Sequence, residues 1–161
     1  MYLLASKDTP FANLLFSKIL TELHDQEWKW IKTKKELVEG LELKPNKIFF
    51  FHWSFIVPEN IFSNYECIVI HTANLPEGRG GSPIQNQIMD SVILTHVNAL
   101  RMGAELDAGD IYCQVPISLQ GNLNDIWFAI SMTSAKITPP DNYWFIAFSI
   151  DNLSAQCIPI Y

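Results

Sequence analysis

The sequence is short of charged residues, and the few that it has are mostly acidic. Charged side chains make up 17% of the 161 residues, and 17 acidic residues against 11 basic ones leave a net charge of −6. Binding of a phosphate backbone normally takes clustered Lys and Arg, so we expect no nucleic acid as partner. The apolar fraction of 48% favours a packed globular core over disorder.

Long apolar runs, leader-like segments and cysteine pairs are missing as well. The longest apolar runs are far shorter than the ~20 residues that cross a bilayer, and no basic-then-apolar leader opens the chain. We therefore expect a cytoplasmic protein without membrane contact. Cys67, Cys113 and Cys157 form no C-x-x-C pair, which predicts buried thiols rather than a disulfide or zinc framework. No His or Cys pair has metal-ligand spacing, so no metal is expected.

The first half of the chain alternates strand and helix patterns. Asp8 stands where a helix N-cap is expected, with Pro10 in the first turn, and Thr33 and Glu36 have the spacing of a capping box. Apolar or period-two runs predict strands at Met1–Ser6, Glu27–Lys32, Lys47–His52 and Glu66–His71. Continuous apolar strands separated by helices predict an α/β fold, a mostly parallel mixed sheet with helices on both faces.

The second half is predicted to close this sheet and to add a short extension. Strands are expected at Val92–Met102 and Ile111–Ile117, with a helix at Leu123–Ala135. Residues 139–161 read as a C-terminal hairpin, Tyr143–Ile150 with Ala155–Ile160. At roughly 150 residues per domain, 1–161 form a single domain, with 1–138 as its core.

Two irregular loops follow apolar strands in positions where open α/β sheets bind ligands. His71 ends one strand, and the segment Thr72–Pro83 that follows is rich in Gly and Pro in a chain with only seven glycines. The second loop is Glu105–Asp110. Each loop taken alone is also compatible with an ordinary turn, with His71 as a core histidine.

Taken together, the two loops resemble the folate-dependent formyltransferases, the family of the glycinamide ribonucleotide, methionyl-tRNA and sugar-nucleotide N-formyltransferases. After His71 the family spacing is kept by Leu75-Pro76, Arg79-Gly80 and Pro83-Ile84, and the second block is Leu106-Asp107-Ala108-Gly109-Asp110. The resemblance covers roughly residues 45–135. The dipeptide His52-Trp53 and the wording G-R-G-G-S-P are most similar to small formyltransferase-like proteins of bacterial surface-sugar pathways.

The resemblance implies a Rossmann-like formyltransferase fold and a folate-dependent reaction. It assigns the catalytic roles to His71 and Asp107, and 10-formyltetrahydrofolate would be the cosubstrate, without a metal. The acceptor would be a small molecule, an amino sugar and in particular a nucleotide-linked one; a homodimer is one possible assembly. Residues implied to hold the folate are Trp53, Ser54, Phe55, Ile56, Val57, Met102, Ala104 and Leu106.

One position departs from the family pattern. The family writes N-x-H, but Val69 stands two residues before His71. We expect Asn74, three residues after this histidine, to be a candidate for the missing catalytic amide. Alternatively, the protein is a catalytically inactive folate-binding or nucleotide-sugar-binding relative, or a partner subunit that uses its apolar tail as a contact. His96 is either a second site group or simply an exposed residue.

Overall fold

The computed structural model describes residues 1–138, together with the backbone of 149–150, 153–154 and 156–157. Its elements are β1 (Tyr2–Ser6), α1 (Pro10–Glu22), β2 (Trp28–Ile31), α2 (Lys34–Leu41), β3 (Lys47–Phe51), α3 (Glu59–Phe62), β4 (Glu66–Thr72), α4 (Pro83–Met89), β5 (Leu94–Arg101), β6 (Ile111–Ser118), α5 (Leu123–Lys136), β7 (Ser149–Ile150), β8 (Leu153–Ser154) and β9 (Gln156–Cys157).

One mixed sheet organises the fold, in the order β2-β1-β3-β4-β5-β6-β9. The strands from β2 to β4 are paired in parallel, and β5, β6 and β9 continue the sheet in antiparallel pairings. The predicted α/β fold is confirmed. The parallel half reads as continuous apolar runs because helices cover it on both sides.

Each face of the sheet carries its own core cluster. On what we call the α1/α5 face, Leu4, Phe49 and Ile70 pack with Leu15 and Ile130 of the two helices. Alternate residues of the same strands point the other way because successive side chains leave a strand on opposite sides. On this second side, the α2/α3 face, the cluster comprises Leu3, Ala5, Ile31, Leu37, Ile48, Phe50, Ile61 and Cys67.

The predicted N-cap of α1 is wrong. The N-cap of α1 is Thr9 and not Asp8: the Thr9 hydroxyl accepts a hydrogen bond from the Ala12 amide at 3.1 Å, whereas Asp8 accepts from the Asn13 side chain and pairs with Lys32.

The expectation of free thiols holds at Cys67 and fails at Cys113. Cys67 is buried and free, and burial, followed by the charge of Glu66, raises the pKa of its thiol to about 12. Cys113 is disulfide-bonded, a covalent state that the absence of a C-x-x-C motif did not reveal. The side chain of Cys157 lies outside the described residues.

The predicted C-terminal hairpin is seen only in part. β7 pairs antiparallel with β8, with Ile150 opposite Leu153, as expected for a turn at residues 151–152. The described part of the second predicted strand, Gln156–Cys157, pairs with β6 and not with the first strand, so this pairing of the predicted hairpin is wrong. The other residues of the hairpin lie outside the described part of the chain, and the division into a core of 1–138 and an extension of 139–161 stays a prediction.

Candidate active site

Three neighbouring parallel strands end at one edge of the sheet and bring polar side chains together there. β1 is followed by Lys7, β3 by His52, and β4 carries His71 near its end. Because Phe51 of β3 is in register with Ile70 of β4, His52 and His71 come one residue further along adjacent strands, whose backbones lie about 4.8 Å apart. This carboxyl edge is the candidate active site.

The structure brings the two predicted catalytic residues together. Nδ1 of His71 lies 3.5 Å from Oδ2 of Asp107, and each side chain is only 8% exposed. This is slightly longer than the direct hydrogen bond of 2.6–3.2 Å expected for a catalytic pair, as is common in unliganded sites. The two loops singled out in the sequence therefore meet at one point.

The other ring nitrogen of His71 is also occupied. Nε2 lies 2.9 Å from the carbonyl oxygen of Gly78, and because a carbonyl only accepts, Nε2 carries a proton. With Asp107 facing Nδ1, only the doubly protonated imidazolium can donate toward both oxygens. In this arrangement the Nε2 of His71 is covered by its own loop.

Asp107 is held from both sides of the site. Its Oδ2 accepts the backbone N–H of Gly80 at 3.0 Å, and a neighbouring ion pair joins Arg79 to Glu105 at 2.9 Å. These contacts tie the loop after β4 to the loop after β5. Asp107 itself has a left-handed backbone with φ 50°, a conformation that non-glycine residues adopt uncommonly and often at functional sites.

The buried side-chain amide of Gln87 also holds the loop after β4 in place. Nε2 of Gln87 in α4 donates to the carbonyls of Thr72 and Pro83, at 2.9 and 3.0 Å. Its Oε1 accepts from the hydroxyl of Thr95 in β5 at 2.5 Å. Both ends of the loop are thereby fixed, which holds the Gly78 carbonyl over His71. Sequence reasoning missed this role of Gln87, since nothing in the loop motif points to it.

Asn98 is the second residue of this region that the sequence did not single out. It lies opposite His71 in the β4–β5 register, is fully buried, and its Nδ2 donates to the carbonyls of His71 and Ala73 at 3.0 and 2.8 Å. Its Oδ1 accepts from Gln114 at 2.8 Å. Because both amide groups are used, Asn98 braces the His71 backbone and offers no free donor.

The structure does not bring Asn74 to the His71–Asp107 pair. Its Oδ1 lies 2.8 Å from Nδ1 of His96, and its Nδ2 donates to the Leu94 carbonyl at 3.0 Å. The amide is thus bonded to β5, so a catalytic role for Asn74 would require it to leave both partners. His96 is half-buried rather than simply exposed, and burial lowers its pKa.

Val69 occupies the position of the missing family amide. It lies on the same side of β4 as His71, two residues earlier, between Phe50 of β3 and Leu100 of β5. Val69 is half-buried, and its side chain has no group that can donate to an oxyanion.

The residues predicted to hold a folate fall into a packed group and an exposed group. Trp53, Val57 and Met102 pack against the cluster of the α2/α3 face, which joins the segment after β3 to the segment after β5. Ser54 and Ala104 are exposed. Three apolar side chains are exposed beside them, at 40%, 93% and 68%: Phe55, Ile56 and Leu106.

The packed group also contains an unused hydrogen-bond donor. The indole Nε1 of Trp53 is buried and has no hydrogen-bond partner, while the ring meets Phe50 and Phe55 edge-on. A buried donor without a partner is costly to the folded state. A flat apolar wall with a few unpaired polar groups is what a pterin-sized ring system requires.

No metal-binding cluster accompanies these groups. Within the residues that the structure describes, no three His, Cys, Asp or Glu side chains are grouped so as to hold a metal ion. In the same part of the chain, no helix is both long and apolar enough to cross a bilayer.

Comparison with known proteins gives formyltransferases as relatives. No protein-family model matches the chain. Methionyl-tRNA formyltransferase of Bacillus thuringiensis (strain Al Hakam) is 38% identical over 92 residues, 56% of this chain and 29% of that protein. The structure of methionyl-tRNA formyltransferase from Clostridium thermocellum is 32% identical with a TM-score of 0.74, covering 84% of this chain and 61% of the other. The chain is therefore similar in sequence and in fold to methionyl-tRNA formyltransferases.

Two further solved structures are similar to this chain. HypX from Aquifex aeolicus in complex with tetrahydrofolic acid is 25% identical with a TM-score of 0.64, over 74% of this chain and 21% of that one. A likely sugar N-formyltransferase from Mycobacterium tuberculosis, 17% identical with a TM-score of 0.67 over 99% and 72% of the two chains, shares the fold. The chain spans less than a third of the curated relative's length.

Proposed function

We propose that the protein is an N-formyltransferase that moves the formyl group of 10-formyltetrahydrofolate to the amine of an amino sugar, in particular a nucleotide-linked one. The observation that carries this proposal is the contact of His71 with Asp107 at the carboxyl edge of the sheet. Both residues lie in the two sequence blocks that resemble the family. A cytoplasmic, small-molecule setting without nucleic acid or membrane is part of the proposal.

The placement of His71 beside Asp107 suits formyl transfer. Attack of an amine on the formyl carbon places negative charge on the formyl oxygen, and a cationic imidazole stabilises that charge by donating a hydrogen bond. Asp107 orients the ring and balances its charge. Since Nε2 now donates to Gly78, substrate binding must displace this carbonyl before His71 can reach the formyl oxygen.

The wall on the α2/α3 face suits the folate. Trp53, Val57 and Met102 form its packed part, and the unpaired Nε1–H of Trp53 is a donor that a ligand could engage after a small shift. The exposed Phe55 and Ile56 lie at the edge of the same segment and would lose solvent contact on binding, which is favourable for apolar side chains.

The acceptor is the less constrained part of the proposal. A net charge of −6 disfavours a transfer RNA, although the curated relative is a methionyl-tRNA formyltransferase. The fold of a likely sugar N-formyltransferase over nearly the whole chain, together with the wording of the loop after His71, supports an amino sugar.

A second candidate function, an inactive folate-binding or nucleotide-sugar-binding relative, is favoured by two observations. Val69 replaces the family amide, and His71 is covered by its own loop. One oxyanion donor is typically worth ~10²–10³ in rate. Val69→Asn would therefore raise a slow rate of transfer in a true enzyme, and leave a pure binding protein without turnover.

The test is an assay of the full chain with 10-formyltetrahydrofolate, measuring release of tetrahydrofolate and the mass of the acceptor. The acceptors are a panel of free and nucleotide-linked amino sugars, with methionyl-tRNA as a separate arm. Formylation of an amino sugar supports the proposal. Formylation of methionyl-tRNA alone would overturn the acceptor, and binding of folate without any transfer would favour the inactive relative.

A further inference from the structure

The rings of His52 and Trp53, which follow β3, lie on opposite faces of the sheet. His52 has a left-handed backbone with φ 52°, and its ring lies edge-on to Trp127 of α5 with centroids 4.4 Å apart. Trp127 belongs to the cluster of the α1/α5 face. The next residue, Trp53, packs on the opposite α2/α3 face. The carboxyl edge of the sheet therefore has a side with His52 and Trp127 and an opposite side with Trp53.

His52 lies on the side away from the folate wall, and both of its ring nitrogens are available. Within residues 1–138 neither nitrogen is hydrogen-bonded to the protein, and the residue is exposed to solvent. His71, on the adjacent strand, is 7% exposed and has an oxygen facing each nitrogen. Of these two imidazoles, His52 is the one that a ligand can reach directly.

The surroundings of His52 keep it neutral. Partial removal from water lowers the pKa of His52 to about 4, with further lowering by the positive charges of His71 on β4 and Lys7 after β1. From α5 the group that faces the ring is the indole of Trp127. Solvent still reaches the residue, and both electrostatic contributions act on the pKa of His52 in the same direction as desolvation. Its lone pair is therefore free at neutral pH.

We propose that His52 is a second catalytic residue of this site, which accepts the proton of the attacking amine on the α1/α5 side while His71 donates from the other strand end. This inference rests on the proposed formyl transfer. The two rings follow neighbouring strands at one edge of the sheet, since Phe51 and Ile70 are in register. The Nε2 of His71 is already used by Gly78, whereas His52 is exposed to solvent. The acceptor would then enter on the side of Lys7 and Trp127, opposite the folate wall.

The step balances with these two residues. The amine lone pair attacks the formyl carbon, the new C–N bond forms, and the carbonyl electron pair moves onto the oxygen. One amine proton passes to His52. The oxygen electron pair then reforms the carbonyl, the bond from carbon to N10 breaks, and N10 takes a proton from His71. The products are the N-formyl amine and tetrahydrofolate, and exchange with water restores both rings.

The experiment compares His52→Gln with wild type in the formyl-transfer assay across pH 5–9. Glutamine keeps a polar side chain but cannot take up a proton. We expect kcat to fall by ~10²–10⁴ throughout this pH range, the usual contribution of a general base. Folate affinity, measured by tryptophan fluorescence, should stay within about twofold because the lost interaction belongs to the transition state. His24→Gln, which alters an exposed histidine after α1, is the matched control and should keep kcat.

Each result decides between the two proposals. An active wild type with a His52→Gln variant of equal kcat and pH profile would overturn the role of His52 and leave formyl transfer standing. A variant with lower kcat but equally weakened folate binding would also overturn it, since that is the behaviour of a structural residue. A wild type that transfers to no amine would instead overturn the proposed function, and the role of His52 with it.

Discussion

Two histidines end neighbouring strands of the same sheet, and the structure gives them opposite states. His71 at the end of β4 is buried, and each ring nitrogen faces an oxygen. His52, one strand away, is exposed, is not hydrogen-bonded to any described residue, and has a pKa lowered to about 4. The same residue type at equivalent positions is thus hydrogen-bonded within its own loop in one case and exposed to solvent in the other.

The difference comes from the chain that follows each strand. After β4 a long loop returns over the strand end, where the anchor formed by Gln87 with Thr72 and Thr95 holds the Gly78 carbonyl on His71. After β3 the backbone changes direction at His52 itself, which has a left-handed conformation, and no long loop within residues 1–138 covers this residue. The hydrogen bonding and exposure of these two strand-end histidines are therefore set by the segment that follows each strand.

The strongest way to break this comparison is His71→Asn. If His71 is the donor, its loss should lower kcat by ~10²–10⁴ while folate affinity changes little. The measurement is steady-state formyl transfer, with circular dichroism to confirm that the fold is kept. A variant that retains kcat within a few-fold would show that His52 alone is sufficient, and the division of roles between the two rings would be wrong.

Gly109→Ala should disturb the contact between His71 and Asp107 indirectly, by displacing the loop that carries Asp107. A Cβ at residue 109 would lie 1.9 Å from the carbonyl oxygen of Arg101, so the loop that carries Asp107 must move. We expect a loss of ~1–3 kcal/mol in the free energy of unfolding, as for overpacking, and reduced formyl transfer. Gly103→Ala in the same loop, where a Cβ meets nothing within 4 Å, is the control. Equal unfolding curves for the two variants would contradict the predicted clash.

Much of the fold and part of the site could be predicted from the sequence. The strand Lys47–Phe51 is buried at every position and apolar at all but the first because helices cover both faces, and this pattern is visible in the residues themselves. The capping spacing at Thr33 and Glu36 is local and is realised as predicted. His71 and Asp107 were predictable as a pair because two separate motifs follow strands that end near each other.

The parts that could not be predicted depend on contacts between distant segments. Thr9 rather than Asp8 is the N-cap because the Asp8 carboxylate pairs with Lys32, which follows β2. The bond of Asn74 to His96 depends on the β4–β5 register, and so the sequence placed Asn74 too near the catalytic pair. The exposed position of the His52 ring depends on the positive φ of this residue and on its contact with Trp127, which is 75 residues away in sequence.

The smallest expected effect is on stability in acid, and it tests the state of His52 without any substrate. In the unfolded chain a histidine takes up a proton at its ordinary pKa near 6.5, but folded His52 does so only near about 4. Between these values the unfolded state binds more protons than the folded state, so this residue makes stability fall as the pH is lowered from about 6.5 toward 4. His52→Gln removes that contribution. The melting temperature of the variant should therefore decline less than that of wild type between pH 7 and pH 4.5, while above pH 7.5 the difference between the two proteins should not change with pH. Parallel declines over the whole range would mean that folded His52 accepts a proton as readily as an unfolded histidine, and the contrast with His71 would then rest on accessibility alone.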